Sequence, residues 1–225
     1  SPMTEGDIRH EPNAGSSQGG TVGAWGAGNV TSFSLVVRKA MATDSDALAV
    51  LADIAGGETL AFIARGIDPT ADARAIYREM IATATGLFSY QNCFAAESNG
   101  KLVGLANAFP ARAIENEQRH TKPTAREEYL EARTRLNDPR SYLLNNIAVD
   151  PAWRRKGVGI RLVEAVIAEA KLQGFRSITL HVWADNARAI AFYRALGFRS
   201  VRRAKIPWHP ELPHVGGSLL FRLNL

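Results

Sequence analysis

The sequence predicts an α/β fold, helices packed on a sheet, and three observations carry that reading. Short apolar stretches of strand character alternate with stretches of helical period, so helix and sheet share one core. Asn99-Gly100 separates two of the strand-like stretches, and both residues tolerate the positive φ of a tight antiparallel hairpin. From Leu143 to Phe198 the chain reads without interruption as strand, glycine-containing turn, long helix, strand and capped helix.

The elements follow in order. SLVVRKA, from Ser34, is a strand, and Thr43-Asp44-Ser45-Asp46 offers N-cap side chains to a helix running through Leu48, Leu51 and Ile54. A second helix starts at about Thr70, with Ala73, Ile76, Tyr77, Met80 and Ile81 at helical spacing. The hairpin strands flank Asn99-Gly100, and Cys93 lies in the first of them, where it reads as a small buried hydrophobe. Ala111 to Pro139 is a charged connection with a helix around Arg126 to Leu136. Its mixed charges suit a solvated face, and its length equally suits the wall of a site.

Leu143 to Val149 is an apolar strand that stops at Asp150-Pro151. Arg154, Arg155, Lys156, Gly157 and Gly159 then open an amphipathic helix. Ser177 to Trp183 is a strand with Thr179, His181 and Trp183 on one face and Ile178, Leu180 and Val182 on the other. Asp185 or Asn186 caps the next helix and Gly197 closes it. The strand RSVRRAKI, a proline-stiffened loop from Pro207 to His214 and a last strand, GSLLFRLNL, complete the chain; Trp208, His209, Glu211 and His214 in the loop are candidates for substrate contact.

Length and composition bound the possibilities. The 225 residues suit one domain, 33–225, preceded by a flexible tail over 1–32 that is rich in Gly, Ser, Asn and Thr and too poor in large apolar side chains to fold alone. The net charge of +5 is dispersed apart from Arg154–Lys156 and Arg199–Lys205, so nucleic acid is not an expected partner. A single cysteine rules out an internal disulfide and suits a reducing cytoplasm. No apolar run approaches the length of a membrane span, and acidic Glu5 and Asp7 stand where a signal peptide is basic, so no membrane association is expected.

The turn after Val149 points to an anion. Its glycines and basic residues put free amides and positive charge at a helix N-terminus, where phosphates bind. A nucleoside-triphosphate loop requires Lys-Ser or Lys-Thr after its last glycine, yet Gly159 is followed by Ile160-Arg161. A dinucleotide fingerprint requires a third small residue, and that position holds Leu162.

Three motifs in sequence order carry a family resemblance. R-x-x-G-x-G, from Arg154 to Gly159, resembles the coenzyme A pyrophosphate motif of the GCN5-related N-acetyltransferase (GNAT) superfamily. N-I-A-V-D-P, from Asn146, is similar to the strand that pairs with pantetheine, and Asn186 with Tyr193 in N-A-R-A-I-A-F-Y looks like the later motif. Together they cover about a quarter of the chain, and within this core the likeness is greatest to ribosomal-protein N-terminal alanine acetyltransferases.

The resemblance implies a GNAT-like single domain whose mixed, mostly antiparallel sheet opens between the strands at Ile147 and Leu180. It implies an enzyme that moves an acetyl group from acetyl-CoA to a primary amine of a small molecule or peptide, by direct attack in a ternary complex and without a metal. Backbone groups of Ile147, Ala148 and Val149 would meet pantetheine. Arg154, Arg155, Lys156, Gly157, Val158, Gly159 and Ile160 would hold the diphosphate, and Asn186 and Tyr193 would line the cofactor groove. The Ile147 amide would serve as oxyanion donor and Tyr193 as general acid, with Phe192 turned into the core. At the His181 position the alanine acetyltransferases carry a catalytic glutamate, so His181 is the base candidate by virtue of its ordinary pKa near 6.5, with Glu97, Glu115, Glu117, Glu127 and Glu128 as rivals. The protein would act in the cytoplasm as a monomer or homodimer. A non-catalytic acyl-CoA-binding module is the alternative reading.

Overall fold

Seven strands satisfy the alternation of the apolar stretches in the computed structural model, which describes residues 33–119 and 121–225. They are β1 (Leu35–Lys39), β2 (Cys93–Ser98), β3 (Lys101–Pro110), β4 (Tyr142–Val149), β5 (Ser177–Trp183), β6 (Arg199–Ala204) and β7 (Ser218–Asn224), in the spatial order β1-β2-β3-β4-β5-β7-β6. Every neighbouring pair is antiparallel except β4 with β5. The helices are α1 (Ser45–Arg65), α2 (Ala73–Ala82), α3 (Arg112–Gln118), α4 (Ala125–Tyr129), α5 (Glu131–Thr134), α6 (Val158–Leu172) and α7 (Ala187–Ala195). The tail expected over residues 1–32 lies outside the described residues.

Helices cover both faces of the sheet, which is why β2 to β5 are apolar on both sides. On one face Val158, Leu162, Val163 and Val166 of α6 pack with Ile178, Leu180, Val182, Phe198 and Phe221. On the other, Leu48, Leu51 and Ala52 of α1 and Tyr77 and Ile81 of α2 meet Cys93, Ala95, Leu105 and Ala148. Full burial of each large side chain contributes about 1.5–3 kcal/mol. Cys93 is fully buried, and burial pushes its thiol up to about 12, so it is packing rather than a nucleophile. The hairpin turn holds Asn99 at φ 50° and Gly100 at φ 76°, as the dipeptide requires.

The parallel pair creates the cleft. β4 and β5 are joined only at Tyr142↔Ile178 and Leu143↔Thr179, with Ser141 Oγ and Thr179 Oγ1 2.6 Å apart at the same end. Beyond that point the strands part, so Ile147 borders an opening, and from Leu180 onward β5 pairs with β7 but not with β4. At the far side of the sheet β6 is an edge strand whose arginines are exposed, in keeping with a solvated edge.

Three local expectations are corrected. The Asp44 side chain does not cap α1; it accepts from the Met41 amide at 2.8 Å and pairs with Arg38 at 2.8 Å, and the Arg38 hydrogen bond holds it below the usual carboxylate range despite partial burial. The helix expected around Arg126 to Leu136 breaks at Leu130, whose φ of −94° and ψ of 6° separate α4 from α5, and α3 precedes it where no helix was expected. The segment Ala42–Arg65 is long and apolar enough to cross a membrane by length and composition. Its Leu48, Leu51, Ala52 and Phe62 are instead buried in the protein core, and its run of apolar residues reflects packing against α2, β3 and β4.

Candidate active site

The turn that leaves β4 is built by its own polar residues. Asp150 Oδ1 accepts from the Ala152 amide at 2.9 Å and Oδ2 meets Lys101 Nζ at 3.0 Å, which fixes the single turn Pro151–Trp153. Arg154 is then extended, Arg155 takes φ 62° and Gly157 takes φ 80° at the N-cap of α6. Left-handed residues interleaved with right-handed ones turn successive amides inward, as in anion-binding nests. Gly157 contributes no side-chain cap, so the first-turn amides of α6 keep no side-chain acceptor. Positive dipole and bare donors thus face the same hollow.

The two glycines have different jobs. A Cβ on Gly157 would meet nothing within 4 Å, so its role is the left-handed dihedral. A Cβ on Gly159 would come within 3.1 Å of Phe192 Cζ, so its role is to let α7 approach α6. Arg154, Arg155, Gly157, Val158, Gly159 and Ile160 line a cleft of about 500 Å³ together with Ile147, Ala148 and Val149 of β4, Ile54 and Ala55 of α1, Trp153, and Asn186, Arg188, Ala189, Phe192 and Tyr193 of the α7 region. Among the expected cofactor residues Lys156 is placed differently: its ammonium lies 4.8 Å from the Trp153 ring centroid, outside the lining set. An extended cleft of mixed polarity ending on free amides fits a pantetheine arm ending in a diphosphate.

Asn186 does cap α7, its Oδ1 accepting from the Ala189 amide at 3.1 Å, and it also lines the cleft. Tyr193, seven residues on, returns to the same helical face. Its ring packs against Phe198 at 5.7 Å and Phe192 at 5.3 Å between centroids. The expected division between these neighbours is reversed: Tyr193 is the buried residue of α7 and Phe192 is the half-buried one. Burial pushes the Tyr193 phenol well above its ordinary range, which keeps it a proton donor at neutral pH.

His181 is placed unlike a base that titrates near neutrality. Its Nε2 is hydrogen bonded to the Leu136 carbonyl, an acceptor, so that nitrogen carries the proton. Burial, helped by the charge of Arg133, pushes its pKa down to about 3 despite that bond. It lies outside the cleft-lining residues. The rivals are no nearer. Glu97 is paired with Arg38 at 3.1 Å on β2, and Glu127 accepts from the Thr124 amide at 2.7 Å. Glu115 and Glu117 lie on α3 and Glu128 on α4, all three outside the cleft-lining set.

A different ionisable set sits at the rim. His214 Nδ1 is 3.0 Å from Asp185 Oδ1, its Nε2 is 3.2 Å from Glu58 Oε2, and Asp185 Oδ2 accepts from the Val215 amide at 2.9 Å. Asp185 adjoins cleft-lining Asn186, and Glu58 lies one helical turn beyond Ile54 on α1. Of the loop side chains singled out from sequence, His214 is therefore the one tied to residues that adjoin the cleft lining, though it is not itself in that lining. His209 packs at 4.9 Å from Phe62, and Glu211 pairs with Arg126, which tie the loop to α1 and α4. Sequence reasoning missed Glu58 and Asp185 as partners because three distant segments contribute; the one local signal was an acid beside the Asn186 cap.

Known proteins share stretches of this sequence and its fold. Over 66 residues the chain is 46% identical to the [ribosomal protein bS18]-alanine N-acetyltransferase of Escherichia coli strain K12, a match spanning 28% of this chain and 45% of that enzyme. The chain thus spans about half the length of the curated relatives it matches. The crystal structure of the ribosomal-protein-S18-alanine N-acetyltransferase from Escherichia coli has a TM-score of 0.52 at 21% identity, over 85% of this chain and 94% of that one. An N-acetyltransferase from Thermoplasma acidophilum, solved in complex with coenzyme A, has a TM-score of 0.50 at 15% identity, over 85% of this chain and 99% of that one. The sequence model of the acetyltransferase (GNAT) family matches residues 63–198, a span that runs from the end of α1 through the nest, both parted strands and Tyr193, and the chain belongs to that family.

Proposed function

We propose that the protein transfers the acetyl group of acetyl-CoA to a primary amine of a small molecule or peptide, by direct attack in a ternary complex. The observation that carries this reading is the uncapped, nest-like start of α6 opening onto the gap between β4 and β5, with Tyr193 in the wall of that gap. The coenzyme A complex of the Thermoplasma relative supports the cofactor, and the alanine N-acetyltransferase relative supports an amine acceptor.

When bound, acetyl-CoA supplies an acetyl group activated as a thioester. The amides from Val158 to Ile160 hold the diphosphate and Arg154 and Arg155 add screened attraction. Backbone groups of Ile147 to Val149 orient the pantetheine arm, and the Ile147 N–H donates to the carbonyl oxygen as negative charge builds there. Tyr193 holds the proton that goes to the leaving sulfur. The incoming ammonium must lose a proton before its nitrogen forms the C–N bond. His181, at a pKa of about 3, is too weak a base for that step, and its role becomes positional, bracing the Leu136 turn. The Asp185–His214–Glu58 set, two carboxylates on one imidazole, is the better destination for that proton.

Purified protein with acetyl-CoA and an amine panel tests the reading. Amine-dependent thiol release with one acetylated product per thiol is expected. Coenzyme A binding with no release from any amine would leave the alternative, a non-catalytic acyl-CoA-binding module.

A further inference from the structure

On the α1 side of the parted strands lies a set of polar groups to which acetyl transfer itself gives no role. Arg133 of α5 is the most telling. Its Nε is buried without a hydrogen-bond partner among the described residues, and its guanidinium lies 5.0 Å from the Trp183 ring centroid. No carboxylate of the described residues pairs with it, and burial pushes its basicity down to about 10, which still leaves it a cation at neutral pH. Of the three acids nearby, Glu131 is paired with Arg135 at 2.6 Å, Glu127 accepts from the Thr124 amide and Glu128 is exposed. A partly desolvated cation without a counter-ion is costly to the fold.

Asn146 of β4 is a second orphan. Its Oδ1 is buried without a partner among the described residues, while its Nδ2 donates to the Ala52 carbonyl at 3.4 Å. It immediately precedes Ile147, which lines the cleft. Tyr77 links the two orphans. A Cβ on Gly56 would fall 2.6 Å from the Tyr77 hydroxyl and 2.8 Å from Asn146 Nδ2, so the missing side chain is what lets these groups meet, and the Arg133 charge acts on the same phenol. A cavity of about 340 Å³, with Thr59, Ile63, Leu130 and Arg133 in its walls and Glu127, Glu128 and Glu131 also lining it, leads to the guanidinium from outside. That volume suits a small molecule.

From this pairing we infer that the acceptor, given the acetyl-transfer reading on which this rests, is a small amine carrying a carboxylate, with the carboxylate on Arg133 and the amine nitrogen on Asn146 Oδ1 beside Ile147. The two orphan groups are complementary to the two ends of an amino acid: a fixed cationic donor for the anion and a carbonyl acceptor for the N–H groups. A diamine would set its second charge against Arg133 instead.

The test uses the full chain with acetyl-CoA and four sets of acceptors: free amino acids, their carboxamides, the matching decarboxylated amines, and dipeptides with an acidic second residue. Carboxylate-bearing acceptors should exceed their amides and decarboxylated counterparts by about 10- to 100-fold in kcat/KM. A preference for free amino acids over the acidic dipeptides assigns the carboxylate to the α position, and the reverse preference assigns it to a peptide side chain. Arg133→Met should raise acceptor KM by a similar factor while coenzyme A affinity holds and the melting temperature stays level or rises, and Arg133→Lys should restore part of the loss. Neutral or cationic amines favoured over carboxylate-bearing ones by the unaltered protein would overturn the inference while leaving acetyl transfer standing. If no acceptor releases thiol although coenzyme A binds, acetyl transfer itself fails. Calorimetric titration of amino acids onto the coenzyme A complex then decides separately: binding abolished by Arg133→Met upholds the carboxylate subsite, and absence of binding removes it.

Discussion

The imidazole of His214 lies flat on the indole of Trp183, ring centroids 4.3 Å apart and planes within 7°. The stack fixes the ring plane, and Asp185 and Glu58 at its two nitrogens fix its rotation within that plane. An imidazole and two carboxylates held this way need no reorganisation when a cation arrives. His214→Asn is therefore expected to lower kcat/KM by roughly 10²-fold, with coenzyme A affinity retained. Asp185→Asn should cost less, and the double variant should lose little more than His214→Asn alone. Steady-state thiol release from the three variants provides the comparison; additive losses would separate the two residues.

Tyr193→Phe preserves the packing on Phe198 and Phe192 and removes only the hydroxyl. A fall in kcat of roughly 10²- to 10⁴-fold, with the melting temperature and coenzyme A affinity close to the parent, is the expected outcome. Because burial raises the phenol, no loss of activity from its ionisation should appear up to pH 10. Normal turnover in the variant would make Tyr193 a wall of the groove and nothing more.

The nest residues separate by mechanism. Gly157→Ala places its Cβ in open space, so its penalty is the left-handed φ of 80°, about 1–2 kcal/mol, felt both in stability and in diphosphate binding. Gly159→Val strikes Phe192 and should push α7 away, lowering stability and disturbing Tyr193 as well. Calorimetry and thermal melts distinguish the two patterns, and unchanged coenzyme A affinity in Gly157→Ala would count against the nest.

His181 couples the fold to acid. Its folded pKa of about 3 lies below the unfolded value near 6.5, so between those limits the unfolded chain binds the extra proton. Its contribution is complete above about pH 6.5 and declines as pH falls toward 3, by an amount on the order of a few kcal/mol. His181→Gln can still donate to the Leu136 carbonyl without titrating. Urea denaturation from pH 7 to 4 should show a flatter dependence in this variant than in the parent, and parallel curves would refute the assignment.

The cofactor side of the site was legible because its parts are contiguous. Asp150, Gly157, Asn186 and Gly197 each announce a turn or cap through their own backbone chemistry, and their order along Leu143–Phe198 is the order in which they surround the cleft. The acceptor side was not legible, since Glu58, Arg133, Asn146 and His214 come from four separate segments. Arg133 was hidden further by its neighbours, whose mixed charges read as a solvated face although this one guanidinium turns inward. Tyr193 and Phe192 were exchanged because one residue of helix rotation, about 100°, decides which ring enters the core, and the cap alone does not set it. His181 follows the same logic: strand alternation gave its face, but not that the turn after α5 would set the Leu136 carbonyl against the ring.

Among the described residues, β6 ends the sheet on its side with a row of backbone groups that has no further strand to bind. Such a row is a template for another chain, and exposed templates of this kind lead to ribbons and fibrils. Arg199, Arg202 and Arg203 stand along it, exposed. Two copies meeting edge to edge would bring like charges together before any ladder formed. The arginines of this solvated edge thus act as a guard against another chain extending the sheet beyond β6.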